Sequence, residues 1–191
     1  MLKYTYTLKI YFIYKMEEKM NSQIRREKIK EVLCKSNDAY KGQNLAEIFG
    51  VTRQIIVKDI AILRAEGINI IATPEGYIVP NNDTMKVKKV IATLHNKENI
   101  EEEMKTIVKY GGIIEDVIVE HPLYGEIKGM LMVKNLYDVE NFIDNLHKYE
   151  AEPLFLLTNG IHLHTISAEN EEAMDNIIDE LKNKGFLVDN I

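Results

Sequence analysis

Residues 44–67, NLAEIFGVTRQIIVKDIAILRAEG, carry two helical patterns separated by only a few residues around Gly50. A chain patterned in this way is committed to two short helices joined by a tight turn. The first is expected to start at Asn44, whose side chain caps it while Glu47 completes a capping-box pattern, and to stop at Gly50. Thr52 then caps the next helix, which buries Ile56, Ile60 and Leu63 at spacings of four and three and closes at Gly67. An amphipathic helix precedes the pair, with Ile24, Ile29, Val32 and Leu33 as its apolar stripe and the loop KSNDAYKG at its end. After Gly67, the runs INIIA and GYIV flank TPEG, which predicts a hairpin with its turn residues in place.

Three helices and a hairpin are the order of a winged helix-turn-helix, in which the third helix enters the DNA major groove with its N-terminal residues foremost. Away from Ile56 and Ile60 this helix presents Arg53, Gln54, Val57, Lys58 and Ala61, with Thr52 at its start. Arg53 suits guanine O6 and N7, Gln54 suits adenine N6 and N7, and Lys58 suits a phosphate. A solvated or protein-binding face is the alternative, and the charge distribution favours DNA. Residues 1–19 hold four Lys against two Glu, residues 20–80 nine Lys or Arg against seven acids, and residues 81–191 only 11 Lys against 21 Asp or Glu. Phosphate binding needs neutralising cations, so a polyanion belongs on the first half and not on the acidic second half. The run from Asn44 to Val79 resembles the winged-helix domain of small bacterial transcriptional repressors, a resemblance that covers about residues 22–80.

The segment VPNNDTM, residues 79–85, has the chemistry of a linker, and 191 residues at 46% hydrophobic suffice for two small packed domains. The expected organisation is an N-terminal extension (1–21), a DNA-binding domain (22–80), a linker (81–85) and a second domain (86–191). A single cysteine, Cys34, excludes an internal disulfide and a Cys-rich zinc module and points to a reducing compartment, the cytoplasm. Cys34 falls in the amphipathic pattern of the first helix and reads as a small core residue. In the opening MLKYTYTLKIYFIYKMEEKM, Lys9 interrupts an apolar run too short to span a bilayer, and no small-residue cleavage site follows. No membrane partner is expected; the segment reads as an arm that packs on a partner or as residues upstream of a later start at Met16 or Met20.

Beyond the linker, strand patterns at KVKKVIATL, IIEDVIVEHP, GEIKGMLMV, PLFLL and IHLHTI alternate with helical patterns at IEEEMKTIVKYGG, LYDVENFIDNLHKY and NEEAMDNIIDELKNKG. The fold class expected for the whole chain is α+β, a winged helix-turn-helix followed by a small α/β sandwich with helices on one face of its sheet. In GIHLHTI, His162 and His164 stand on the same face of a strand, roughly 6.6 Å apart and within reach of one ion. Ile161, Leu163 and Ile166 are apolar, as expected of a strand whose other face is buried. Solvated or hydrogen-bonded histidines on a half-exposed face would show the same pattern. His95 and His121 also lie at strand ends, while His147, near a helix end beside Lys148, reads as a surface residue.

HNKENIEEE, DVIVEHPLYGEIKGML and AEPLFLLTNGIHLHTI, in that order, resemble the 3H domain, a ligand-sensing module named for its histidines, over about residues 86–190. Together with the winged helix, the chain resembles the niacin-responsive transcriptional repressor family. That resemblance implies a divalent metal held by His162 and His164 with a histidine and a glutamate eight residues apart, a spacing that His95 and Glu103 fit. Three imidazoles and a carboxylate suit Ni, Zn, Fe or Mn. The implied function is a homodimeric repressor of NAD biosynthesis or niacin uptake genes, with operator double-stranded DNA and nicotinic acid, or a related pyridine carboxylate, as partners. His121 and Tyr124 are the candidate ligand-facing groups, with turn chemistry as their alternative role. The rival functions are a metal-responsive regulator and a small metallohydrolase with a DNA-binding domain. The latter lacks a good general base beyond Glu102 or Glu120, and no catalytic residue is expected.

Overall fold

The structure, a computed structural model, describes residues 21–36, 38–80 and 87–188. The expected arm at 1–20 and the linker at 81–85 lie outside the described residues. The chain divides into two compact units between Pro80 and Asn81.

In the first unit, α1 (Ser22–Lys35), α2 (Gly42–Phe49) and α3 (Arg53–Ala65) precede a two-stranded antiparallel hairpin, β1 (Ile71–Thr73) and β2 (Gly76–Ile78). Gly50 ends α2 in the left-handed conformation at φ 62°, donating its N–H to carbonyls of the last turn, and Thr52 Oγ1 accepts the Ile55 N–H at 3.4 Å to start α3. Ile29, Leu33, Leu45, Phe49, Ile56, Ile60, Leu63 and Ile70 form the core between them.

Three expectations for this unit change. First, α2 starts at Gly42 rather than Asn44 and has no side-chain cap. Backbone hydrogen bonds between Tyr40 and Tyr77, at 2.9 and 2.8 Å, deliver the chain into α2 early, and Glu47 accepts from the Gln43 amide at 3.2 Å instead of closing a capping box. Second, Ile24 is 52% exposed and the buried position beside it belongs to Arg25, whose guanidinium donates to both oxygens of Asp59 on α3, at 2.6 and 3.3 Å. Third, Cys34 is exposed, because Ile29 and Leu33 already fill the contact with the core.

The second unit runs β3 (Val87–Leu94), α4 (Ile100–Lys109), β4 (Ile113–His121), β5 (Gly125–Val133), α5 (Leu136–Lys148), β6 (Ile161–Ala168) and α6 (Glu171–Asn183). Its four strands form one antiparallel sheet in the order β3-β6-β4-β5. All three helices feed one core over a single face of the sheet, through Ile100, Met104 and Ile107 of α4, Val139 and Leu146 of α5 and Met174, Ile177 and Leu181 of α6. The expected strand at PLFLL is instead a 3₁₀ turn, Leu154–Thr158, which starts after Pro153 and buries Phe155. Asn159 and Gly160 then adopt positive φ, which turns the chain into β6.

The parity of β6 is also corrected. His162 and His164 share a face with Ile166 and Ala168, the face that the helices cover, while Ile161 is 51% exposed on the other side. Ile161 and Leu163 therefore mark the open face of the sheet, and both histidines are buried at 2% exposure. His147 is exposed in the last turn of α5, as expected.

Candidate metal and DNA sites

The end of β3 places Thr93 and His95, α4 places Glu103, and β6 places His162 and His164, all on the covered face of the second unit. Ile100, Met104 and Ile107 are the apolar stripe of α4, and Glu103 lies on that stripe, 1% exposed. A carboxylate at a core position needs compensation. Glu103 Oε2 lies 2.8 Å from His95 Nε2, 3.4 Å from His164 Nε2 and 3.7 Å from His162 Nε2. The ligating atoms of His95, Glu103 and His162 all fall within 4.8 Å of one another.

Each ring is oriented from behind. His95 Nδ1 faces the Asn96 carbonyl at 2.7 Å, His162 Nδ1 the Gly160 carbonyl at 2.9 Å, and His164 Nδ1 the Asp116 carbonyl at 2.5 Å. A carbonyl only accepts, so each Nδ1 carries its proton and each Nε2 is left to face the centre. This is the support that metal-ligating histidines have. The backbone is shaped to provide it. Gly160, at φ 96°, brings its chain so close to His95 that a Cβ would sit 2.7 Å from the His95 carbonyl oxygen. Beside His164, the register of β4 shifts between Ile114 and Ile118, and the Asp116 side chain accepts the Thr165 N–H at 3.0 Å.

Burial opposes the charge on Glu103, but the neighbouring imidazoles, His164 above all, with His162 and the hydrogen-bonded His95, hold its carboxyl well below the usual range. Burial likewise opposes the imidazolium form of His95 and His164, and Glu103 overcomes it and raises both. Glu103 Oε1 nevertheless finds no hydrogen-bond partner among the described residues, although it is buried. An unsatisfied carboxylate oxygen beside three presented Nε2 atoms fits a divalent cation. Protons on Nε2 of His95 and His164 are the ones a metal would displace.

Several contributors are not legible in the sequence. Thr93 Oγ1 sits 3.0 Å from His162 Nε2, a contact made only by the pairing of Thr93 with His162 across β3 and β6. Phe155 stacks on His162 with ring centroids 4.8 Å apart, and Phe155 and Phe186 meet His95 edge-on at 5.1 and 5.7 Å. Glu103 had a signal, since it interrupts the apolar stripe of an amphipathic helix.

An open cleft of about 780 Å³ is lined by Ile161 and Leu163 of the open face together with His162, Ile118, Glu120 and Glu126; His95, Glu103 and His164 are not in its lining. His121 ends β4 and Tyr124 lies in the turn that follows, both outside the cluster. His121 Nδ1 accepts the N–H groups of Leu123 and Tyr124 at 3.2 and 3.3 Å, and Tyr124 is 72% exposed. Of the candidate bases, Glu102 pairs with Lys184 at 3.1 Å, and Glu120 lies opposite Glu126 on the hairpin.

In the first unit, Thr52, Arg53, Gln54 and Lys58 are all exposed at the N-terminal half of α3. The side chains of Arg53 and of Tyr77 from the hairpin both pass close to Gly42 at the start of α2. Among the described residues no helix is long and apolar enough to cross a membrane.

Residues 88–190 match the 3H domain, and residues 25–78 match an HTH domain. The chain is 44% identical over 174 residues to the probable transcription repressor NiaR of Thermotoga maritima, across 91% of this chain and 99% of that protein. It is 35% identical over 175 residues to the transcription repressor NadR of Bacillus subtilis, across 90% and 97% of the two chains. An uncharacterized protein of Methanothermus fervidus is 28% identical over 196 residues, which span 90% of this chain and 30% of that protein.

Proposed function

The chain belongs to the 3H-domain family of NiaR- and NadR-type transcription repressors, with a DNA-binding HTH domain, and on that premise we propose the signal it answers. It is a homodimeric repressor whose co-repressor is nicotinic acid and whose targets are genes of NAD biosynthesis or niacin uptake. The observation that carries this reading is the buried set of three imidazoles around the half-satisfied carboxylate of Glu103.

His95, Glu103, His162 and His164 would hold a divalent transition metal, which supplies a positive centre for the carboxylate of the ligand. Phe155 and Phe186 keep the cluster apolar on one side, a setting that suits the ring of a small aromatic acid. His121, at the end of β4, and Tyr124, in the turn after it, are the candidate ligand-facing groups. At the other end of the chain, Arg53 and Gln54 read bases, Lys58 contacts a phosphate, and Thr52 fixes the start of the helix. Two copies are needed because one winged helix makes too few contacts for a specific site. The ligand acts through its differential affinity for the arrangement of winged helices that fits the operator.

The test is thermal unfolding of metal-loaded protein with nicotinic acid, nicotinamide or quinolinic acid, repeated after chelation. Ligand at 100 times its dissociation constant stabilises by about 2.7 kcal/mol. A shift with nicotinic acid that vanishes on chelation is the expected result. A response to metal alone would make the ion itself the signal.

A further inference from the structure

On α3, Val57 is 43% exposed, whereas Ile56 and Ile60 on either side of it in sequence are buried. It is not among the apolar residues that pack against the core of its unit. A β-branched residue at an exposed helix position lowers helix propensity, so neither packing nor helix formation accounts for it. Its position does. Val57 follows Arg53 by four residues and Gln54 by three, which makes it the surface neighbour of both, and Ala61, exposed, lies four further on. Ile55, 36% exposed, is two residues from Arg53 and belongs to another flank. Arg53, Val57 and Ala61 thus form one line along the helix, charged at its foremost end and apolar behind.

The major groove offers one apolar feature to such a line, the C5-methyl group of thymine. We infer that Val57 is a specificity-determining residue that contacts a thymine methyl beside the base pairs read by Arg53 and Gln54. The inference rests on the DNA-reading role of α3. Hydrogen-bonding side chains alone would leave this part of the groove unread, and Val57 with Ala61 makes a thymine there preferable to a cytosine, which presents no methyl.

The experiment uses the full chain and a duplex that it selects from a random-sequence pool. Each thymidine is replaced in turn by deoxyuridine, which removes the methyl and leaves every hydrogen-bonding group. At one or two positions in each half-site the affinity should fall about fourfold, the equivalent of one buried carbon group. Val57→Ala, verified as folded by its circular dichroism, should bind thymidine and deoxyuridine duplexes alike at those positions. Wild-type protein indifferent to every replacement, or Val57→Ala that keeps the full discrimination, would overturn the inference while leaving DNA binding in place. Failure to enrich any duplex would overturn the DNA-reading role as well.

Discussion

Among the described residues this repressor buries three carboxylates, Asp59 in the first unit and Glu103 and Asp116 in the second, and Asp59 and Glu103 are treated differently. Asp59, 2% exposed, has both oxygens engaged by Arg25, with Arg26 3.7 Å away. Glu103, 1% exposed, has one oxygen among three imidazoles and the other without a partner among the described residues. A closed pair of opposite charges has nothing left to offer a ligand; it ties the first helix to the third. A carboxylate oxygen without a hydrogen-bond partner beside three presented nitrogens fits a cation. In the first unit the buried charge is structural and the proposed DNA-reading residues are exposed, whereas in the second unit the proposed metal ligands are buried.

The strongest way to break this comparison is Asp59→Ala. It strands Arg25 without its partner and should destabilise the first unit by roughly 3–5 kcal/mol, seen as an earlier unfolding transition in urea or heat. An unshifted transition would show that the pair is not structural. In the second unit, His164→Ala should weaken Ni²⁺ or Zn²⁺ binding by at least the ~10- to 100-fold typical of losing a mere supporting group, measured by calorimetric titration. Non-specific DNA binding should survive in that variant. Retention of metal affinity and of a response to nicotinic acid would remove His164 from the site.

Exposed residues sharpen the contrast from the other side. Arg53→Ala should cost about 1–3 kcal/mol in operator binding and relax base preference, with stability within about 0.5 kcal/mol of wild type. Equal losses on operator and random duplexes would sink its base-reading role. Lys58→Ala should have the smallest effect, weakening all sequences alike and lowering the salt slope by about 1 in a salt titration of binding. A sequence-dependent loss would move Lys58 from phosphate to base.

Much of the first unit was legible because its signals are local. Gly50, Thr52 and the spacing of Ile56, Ile60 and Leu63 act within one or two turns of the chain, and the helices follow them. The capping role of Asn44 failed for a non-local reason, the bridge between Tyr40 and Tyr77, whose residues are far apart in sequence. Arg25 in place of Ile24 at the buried position follows from Asp59, again distant in sequence.

For the second unit, residue chemistry limited the metal ligands to His, Glu and Asp in a chain with one cysteine, and it was the resemblance to the 3H domain that singled out His95 and Glu103. Period-two alternation put His162 and His164 on one face of β6. It did not say which face. That was decided by α4 and the 3₁₀ turn packing over the sheet, which brings Glu103 and Phe155 onto the histidines. The pairing of β3 with β6 set Thr93 against His162, and the irregular register of β4 lies beside His164, whose ring the Asp116 carbonyl holds. Alternation along a strand is local geometry, whereas which face is buried depends on what the rest of the chain lays against it.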